Sequence, residues 1–219
     1  MAIARTASGQ IGANVGVTGI SGSFDCSAGD ILIAFAERQN ANSQTCTYNG
    51  VSMTLIGTGN NGGTLNTDVF YLVAPASGSN TLASSGTGST YRALLAVAYS
   101  GAKQTGQPDA SAFPAGSSGT SKTTAITTVA ANSWIVGLYN NDNGGTVTAN
   151  NSAVKIGSTF GNPGAVDMIW DTNAAIVTPA STTVGGQSTV SGNQTLVAIS
   201  ISPATATVTS IPDARIFFM

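Results

Sequence analysis

The chain has 219 residues, of which seven are basic and nine acidic, so only 7% carry charge and the net charge is −2; about a quarter is usual. The basic residues, Arg5, Arg38, Arg92, Lys103, Lys122, Lys155 and Arg215, form no stripe, which argues against the clustered footprint a nucleic-acid binder needs. No apolar run approaches the roughly 20 residues that span a bilayer, and the start, MAIARTASGQIGANVG, lacks the apolar stretch of a secretory leader, so neither nucleic acid nor membrane is expected as a partner.

Helical periodicity is nearly absent. Alternating or short apolar runs recur along the chain, bounded by Gly, Asn, Ser and Pro, which is the pattern of an all-β sandwich or barrel. Segment 1–20 alternates but is Gly-rich, and is read as a separate N-terminal segment. Strands are expected at 21–25, 30–37, 45–49, 53–57, 68–73, 80–84 and 92–99. A join rich in Gly, Ser and Pro follows, SGAKQTGQPDASAFPAGSSGTSK, residues 100–122. Strands are expected again at 122–129, 133–139, 146–149, 154–159, 166–171, 188–190 and 195–202. The turns YNG (48–50), NNGG (60–63) and NDNGG (141–145) supply residues that accept positive φ. Segment 203–219 reads as an extended arm, because Pro203 and Pro212 bracket it and oppose a helix.

The two series resemble each other. Ile31-Leu32-Ile33 matches Trp134-Ile135-Val136 at an offset of 103, and Met53-Thr54-Leu55 matches Val154-Lys155-Ile156 at 101. DVFY (68–71) matches DMIW (167–170) at 99, and RALLAVAYS (92–100) matches QTLVAISIS (194–202) at 102. Four matches in order predict an internal repeat. The expected architecture is one antiparallel double-sheet sandwich over 21–202, of about fourteen strands, built from pseudo-repeated halves 21–105 and 118–202. Cys26 and Cys46 either close a loop of about twenty residues, worth about 3 kcal/mol, or stand as free thiols, the reading favoured by the missing leader.

The phrases SAGDILIAF, TYNGVSMTLIG, VFYLVAPASGSNTL, LLAVAYSGAKQTGQPDAS and TTVAANSWIVGLY occur in that order. Together they resemble a loosely defined group of β-sandwich domains in virion proteins of tailed bacteriophages and in bacterial surface proteins. The resemblance implies a jelly-roll-like sandwich and a virion setting, with assembly in the host cytoplasm. It implies a capsid decoration protein first and a tail fibre or adhesin domain second. The implied partners are the major capsid protein or other virion proteins, further copies of the chain, and host-surface glycans. It carries over no catalytic residue.

The residues themselves point away from catalysis. There is no histidine, which removes imidazole triads and most zinc sites, and Glu37 is the single glutamate. Asp167 and Asp171 would share one strand face about 13 Å apart, too far for a glycosidase pair, and are expected to face solvent. The loop YNNDNGG (139–145) departs from the EF-hand pattern and reads as a turn. No cofactor, metal site or catalytic residue is expected. Most Tyr and Trp residues fall in strand patterns and read as packing. Tyr48 and Tyr139 adjoin loops, and Tyr48, Asn49, Asn141 and Asp142 are the candidates for a lectin-like ligand site. The apolar terminus Ile216, Phe217, Phe218 and Met219 is the candidate subunit contact.

Overall fold

The computed structural model describes residues 1–39, 44–62, 65–87, 91–160 and 165–205. These residues form sixteen strands and no helix, and every pairing between the strands is antiparallel. The first half contributes β1 (Ala4–Val15), β2 (Gly19–Cys26), β3 (Ile31–Gln39), β4 (Gln44–Tyr48), β5 (Val51–Ser52), β6 (Thr54–Asn61), β7 (Leu65–Val73), β8 (Gly78–Gly86) and β9 (Tyr91–Ser100). The second half contributes β10 (Ala110–Ala112), β11 (Ser117–Thr127), β12 (Trp134–Asn141), β13 (Val147–Asn151), β14 (Val154–Phe160), β15 (Val166–Asp171) and β16 (Ser181–Ile201). Each of the fourteen expected strands overlaps an observed one. Residues expected at 188–190 and 195–202 belong to a single strand, β16, and β1, β5 and β10 are additional. The 1–20 segment is not separate: β1 pairs along β9 from Ala4↔Ser100 to Val15↔Tyr91.

The strands lie in three sheets rather than two. One sheet has the order β1-β9-β3-β7-β6 and a second β2-β8-β4-β5. The third has the order β10-β16-β12-β15-β14, with β11 and β13 also on β16. The 21 residues of β16 serve two layers. Its C-terminal part, 194–201, pairs with β12, while residues 181–188 pair with β11 and β13. That first part lies over the outer face of its own sheet. A Cβ on Gly186 would sit 2.5 Å from Tyr139 Cγ and 2.8 Å from Met168 Cε, so only glycine permits the approach.

Each half is thus a two-layer sandwich, and the two are stacked with the five-stranded sheet of the first facing the β10-β16-β12-β15-β14 layer of the second's seven-stranded sheet. Period-two alternation makes this possible. On β3, Leu32, Ala34 and Ala36 face the outer sheet of their own half, with Phe24, Cys46, Tyr48 and Leu82. Ile31, Ile33 and Phe35 face the opposite half, with Leu95, Val97, Val136, Leu138, Ile169, Val197 and Ile199. The second half repeats the inward arrangement with Met168, Trp170, Leu196 and Ala198 against Ile126, Val147 and Val184. Strands covered on both faces read as continuous apolar runs, and ILIAFAE and RALLAVAY are such runs.

The repeat is therefore structural as well as sequential, with two corrections to its register. Ala34 pairs with Phe70 and Ala96, and Gly137 pairs with Trp170 and Ala198. The offsets of 103 and 102 hold, but Phe70 corresponds to Trp170, an offset of 100 where DVFY against DMIW implied 99. Thr54↔Tyr71 corresponds to Val154↔Asp171, again 100, where 101 was expected. A slip of one residue exchanges the faces of a strand. Asp68, in the layer between the two sheets of its half, is consequently no counterpart of Asp167, in the layer between the halves. Segment 100–122 is part of the fold: β10 pairs with β16, and Phe113 lies so close to Gly57 that a Cβ there would be 2.6 Å from the ring.

Asp167 and Asp171 do not face solvent; both are 0% exposed. They do share one face of β15, which the first half covers. Asp171 Oδ2 accepts from Arg5 Nη1 at 2.7 Å and Tyr99 Oη at 2.9 Å, both of the first half. Its Oδ1 accepts from the backbone of Asn173. Tyr91 donates to Asp167 Oδ2 at 2.8 Å. Cys26 and Cys46 are free thiols in the first half's own core. Burial pushes the Cys46 thiol up to about 12. Residues 216–219, the candidate subunit contact, lie outside the described residues.

The intact chain should unfold in one calorimetric transition. Fragment 1–105 alone, with Ile33, Phe35, Leu95 and Val97 uncovered, should bind a hydrophobic dye until fragment 118–219 is added. Asp171→Asn, which weakens two charge-assisted bonds between the halves, should cost about 2 kcal/mol in urea unfolding, and Arg5→Ala less, because Arg5 is partly exposed.

Candidate functional site

The four residues proposed as a ligand site are not brought together. The two halves meet at a join between their facing sheets, with Tyr99 of β9 against Trp134 of β12 at one end. Tyr48 belongs to that end, with Phe24 and Gly78, whereas Asn141 and Asp142 stand where β12 finishes, at the opposite end. Tyr48 is fully buried and its hydroxyl donates to the Phe24 and Gly78 carbonyls at 3.0 Å each, so its ring offers no face to a sugar. Tyr139, the other loop-adjacent tyrosine, is also fully buried, in the second half's core. Asn49 is exposed with φ of 49°, and Gly50 follows at 76°, the paired positive angles of a tight hairpin turn.

Asn141 and Asp142 brace a loop. Asn141 is buried, donates to the Val190 carbonyl at 3.1 Å and accepts from Asn143 N at 2.9 Å. Asp142 accepts from the backbone and side chain of Asn193 at 2.7 and 2.8 Å. Both carboxylate oxygens are occupied by the chain itself, as a turn requires. Among the described residues no group of three or more Cys, Asp or Glu side chains could hold a metal ion.

Two features remain that the sequence did not single out. The first is a cleft of about 580 Å³ lined by Met1, Ala2, Ile3, Asn132, Trp134 and Ala175. Trp134 packs edge-on against Tyr99, with ring centroids 5.8 Å apart, and keeps part of its surface open. Asn132 is exposed beside it, with φ of 60°. Apart from the Met1 amino group, which donates to the Ala204 carbonyl at 2.9 Å, no acidic or basic group lines this cleft, so it is suited to stacking and amide hydrogen bonding rather than to proton transfer.

The second is a buried polar cluster at the far end of the join, formed by Glu37, Thr67, Tyr91, Asn140, Asp167 and Thr195, all 0% exposed. Thr67 donates to Glu37 and its oxygen lies 2.8 Å from that of Thr195 across the join. Asn140 and Tyr91 donate to the two oxygens of Asp167. Burial raises Asp167 to about 6, and burial together with the nearby Asp167 raises Glu37 well above the usual carboxyl range. Burial likewise raises Tyr91, which remains a donor. Two carboxyls with raised values would suit general acid chemistry, but neither has an accessible face for a substrate.

No protein-family description, curated protein or solved structure matches this chain.

Proposed function

We propose that the protein is a non-enzymatic structural component of a tailed-bacteriophage virion, and that it decorates the capsid surface as a cement protein. The observation that carries the reading is the location of its charge. Of fourteen charged side chains within the described residues, seven are buried: Asp30, Glu37, Arg38, Asp68, Arg92, Asp167 and Asp171. Of the rest only Asp25, Lys103 and Lys155 are exposed, and four are half-buried. Charged groups are normally outside. Here they link layers inside a rigid stack, and the exterior is left to Ser, Thr, Asn and Gly. A nearly uncharged exterior does not repel copies of itself or a crowded shell, since self-repulsion grows with net charge. The resemblance to virion sandwich domains points the same way. The jelly-roll part of the proposal is supported by strand order, with β1-β9-β3-β7 facing β2-β8-β4-β5.

A second reading is a glycan-binding module, as in a tail fibre or adhesin. The cleft favours it, because Trp134 and Asn132 are a stacking ring and an amide at one opening.

The two readings separate experimentally. For a decoration protein, purified particles from the source should carry the chain in copy numbers comparable to the major capsid protein, and cryo-electron microscopy should place it on the outer shell. A glycan array with the isolated protein should then be blank. If the chain is absent from particles, and a glycan binds with a tryptophan fluorescence change lost in Trp134→Ala, the decoration reading fails and the binding module stands.

A further inference from the structure

The cluster at the join has one feature its hydrogen bonds do not explain. Asp167 receives a donor on each oxygen, from Asn140 on Oδ1 and Tyr91 on Oδ2. Glu37 receives one, from Thr67 on Oε1, and its Oε2 has no partner despite complete burial. The Asn140 Oδ1 is also buried without a partner. A buried acceptor without a donor is costly, and a buried carboxylate anion far more so. The cluster is short of one hydrogen.

The geometry points to Glu37 as the neutral, proton-bearing member of a carboxyl pair with Asp167, held between the two halves so that loss of this proton loosens their join. The assignment follows from the donors. Asp167, with two, is equipped to remain the anion. Glu37, with one donor shared through Thr67 toward Thr195, is not. A proton on Oε2 turns the orphaned acceptor into a donor and removes one of two like charges from a dry interior. The groups facing Glu37 agree. Burial and Asp167 of β15 oppose a charge there most strongly and Asp68 of β7 adds to them, against the Thr67 hydrogen bond and, more weakly, Arg38 of β3, which favour one. Arg38 is engaged by Asp68 at 3.1 Å on the other face of the sheet. Tyr91 of β9, itself a proton donor to Asp167, adds no positive charge.

The sign of the pH dependence is fixed by linkage. A carboxyl raised in the folded state binds a proton that the unfolded chain releases near pH 4. Folding is therefore strongest below that value and weakens as pH rises through the folded values, about 6 for Asp167 and well above the usual carboxyl range for Glu37. Each proton held makes the folding constant fall about tenfold per pH unit across that window. This is opposite to a carboxylate held as an anion, whose contribution is lost in acid.

The test is urea unfolding of the full chain between pH 5 and 9, in the presence of EDTA and then of calcium. The wild type should lose stability steadily as pH rises. Glu37→Gln, which keeps the shape of the neutral acid and cannot ionise, should flatten the profile by about tenfold per pH unit. Should that variant fail to fold, Asp167→Asn serves. It removes the opposing charge and should also flatten the profile. Infrared difference spectra should contain a protonated-carboxyl stretch at neutral pH in the wild type, absent from Glu37→Gln. A pH-independent wild type, an unchanged slope in both variants, or no protonated carboxyl at neutral pH overturns the proposal. So does a large stabilisation by calcium that Glu37→Gln abolishes, because the cluster would then hold a cation in place of the proton.

Discussion

The constraint on which the rest of the structure depends is that both inner layers, β1-β9-β3-β7-β6 and β10-β16-β12-β15-β14, are covered on both faces. Each central strand must place apolar residues on its outer-sheet side and on its join side, as β3 does with Leu32, Ala34 and Ala36 against Ile31, Ile33 and Phe35. Water then reaches these sheets only at strand ends and edges. Any polar side chain on an inner strand has to be satisfied by another side chain, since an unpartnered buried polar group costs one to a few kcal/mol. The buried Asp, Glu and Arg residues therefore sit in groups, most of them near strand ends: Asp30 with Thr6, Asp171 with Arg5 and Tyr99, and, within β7, Asp68 with Arg38, Gln44 and Thr58. The scarcity of charge in the sequence and its concentration inside are two aspects of one fact.

The same constraint explains how much of the repeat was legible. Strands covered on two faces are unusually apolar, so β3, β9, β12 and β16 stand out in composition, and their offsets of 103 and 102 were read correctly. β7 and β15 have their ends in polar clusters, and an aspartate in each invited an alignment one residue out. The polar contacts were hidden for a more particular reason. In the first half Thr6, at the bulge of β1, donates to Asp30 before β3. In the second half the corresponding positions are Asp109 before β10 and Ser133 before β12, and Ser133 donates to Asp109 at 3.3 Å. The hydroxyl and the carboxylate have exchanged strands. The far end repeats the exchange: Thr67 donates to Glu37, and at the corresponding positions Asn140 donates to Asp167. Position-by-position comparison scores these as mismatches, although the contact is retained.

The candidate ligand residues failed for a related reason. Tyr48 and Tyr139 lie beside turn signals, and proximity to a loop was taken as proximity to solvent. In a stack of four layers the last residue of an inner or facing strand is still roofed by the next layer. Tyr48 is covered by its own outer-sheet core and Tyr139 by the fold-back of β16. The sequence carries little trace of that fold-back, because STTVGGQSTVSG reads as a turn region. Its glycines are in fact what lets the backbone lie against Tyr139. Trp134, read as core, opens to a cleft because β12 begins at an end of the stack where Met1 to Ile3 and Ala175 approach without closing over it.

Stacking also decides which surfaces remain for association. Exchanging the halves carries β9 facing β15 into β16 facing β7, and the contact of Gly59 with Val197 belongs to this arrangement. The join thus has the form of an isologous dimer interface made within one chain. The large apolar face that a single sandwich would offer a second copy is already occupied. What remains are the Ser- and Thr-rich outer sheets, the sheet edges and the two ends, where exposed apolar side chains such as Val51, Val129 and Val177 stand singly. Contacts through such surfaces are individually weak, and weak contacts give durable attachment only when many copies act together on a repeating support. The capsid decoration proposed above would supply that repetition through its lattice.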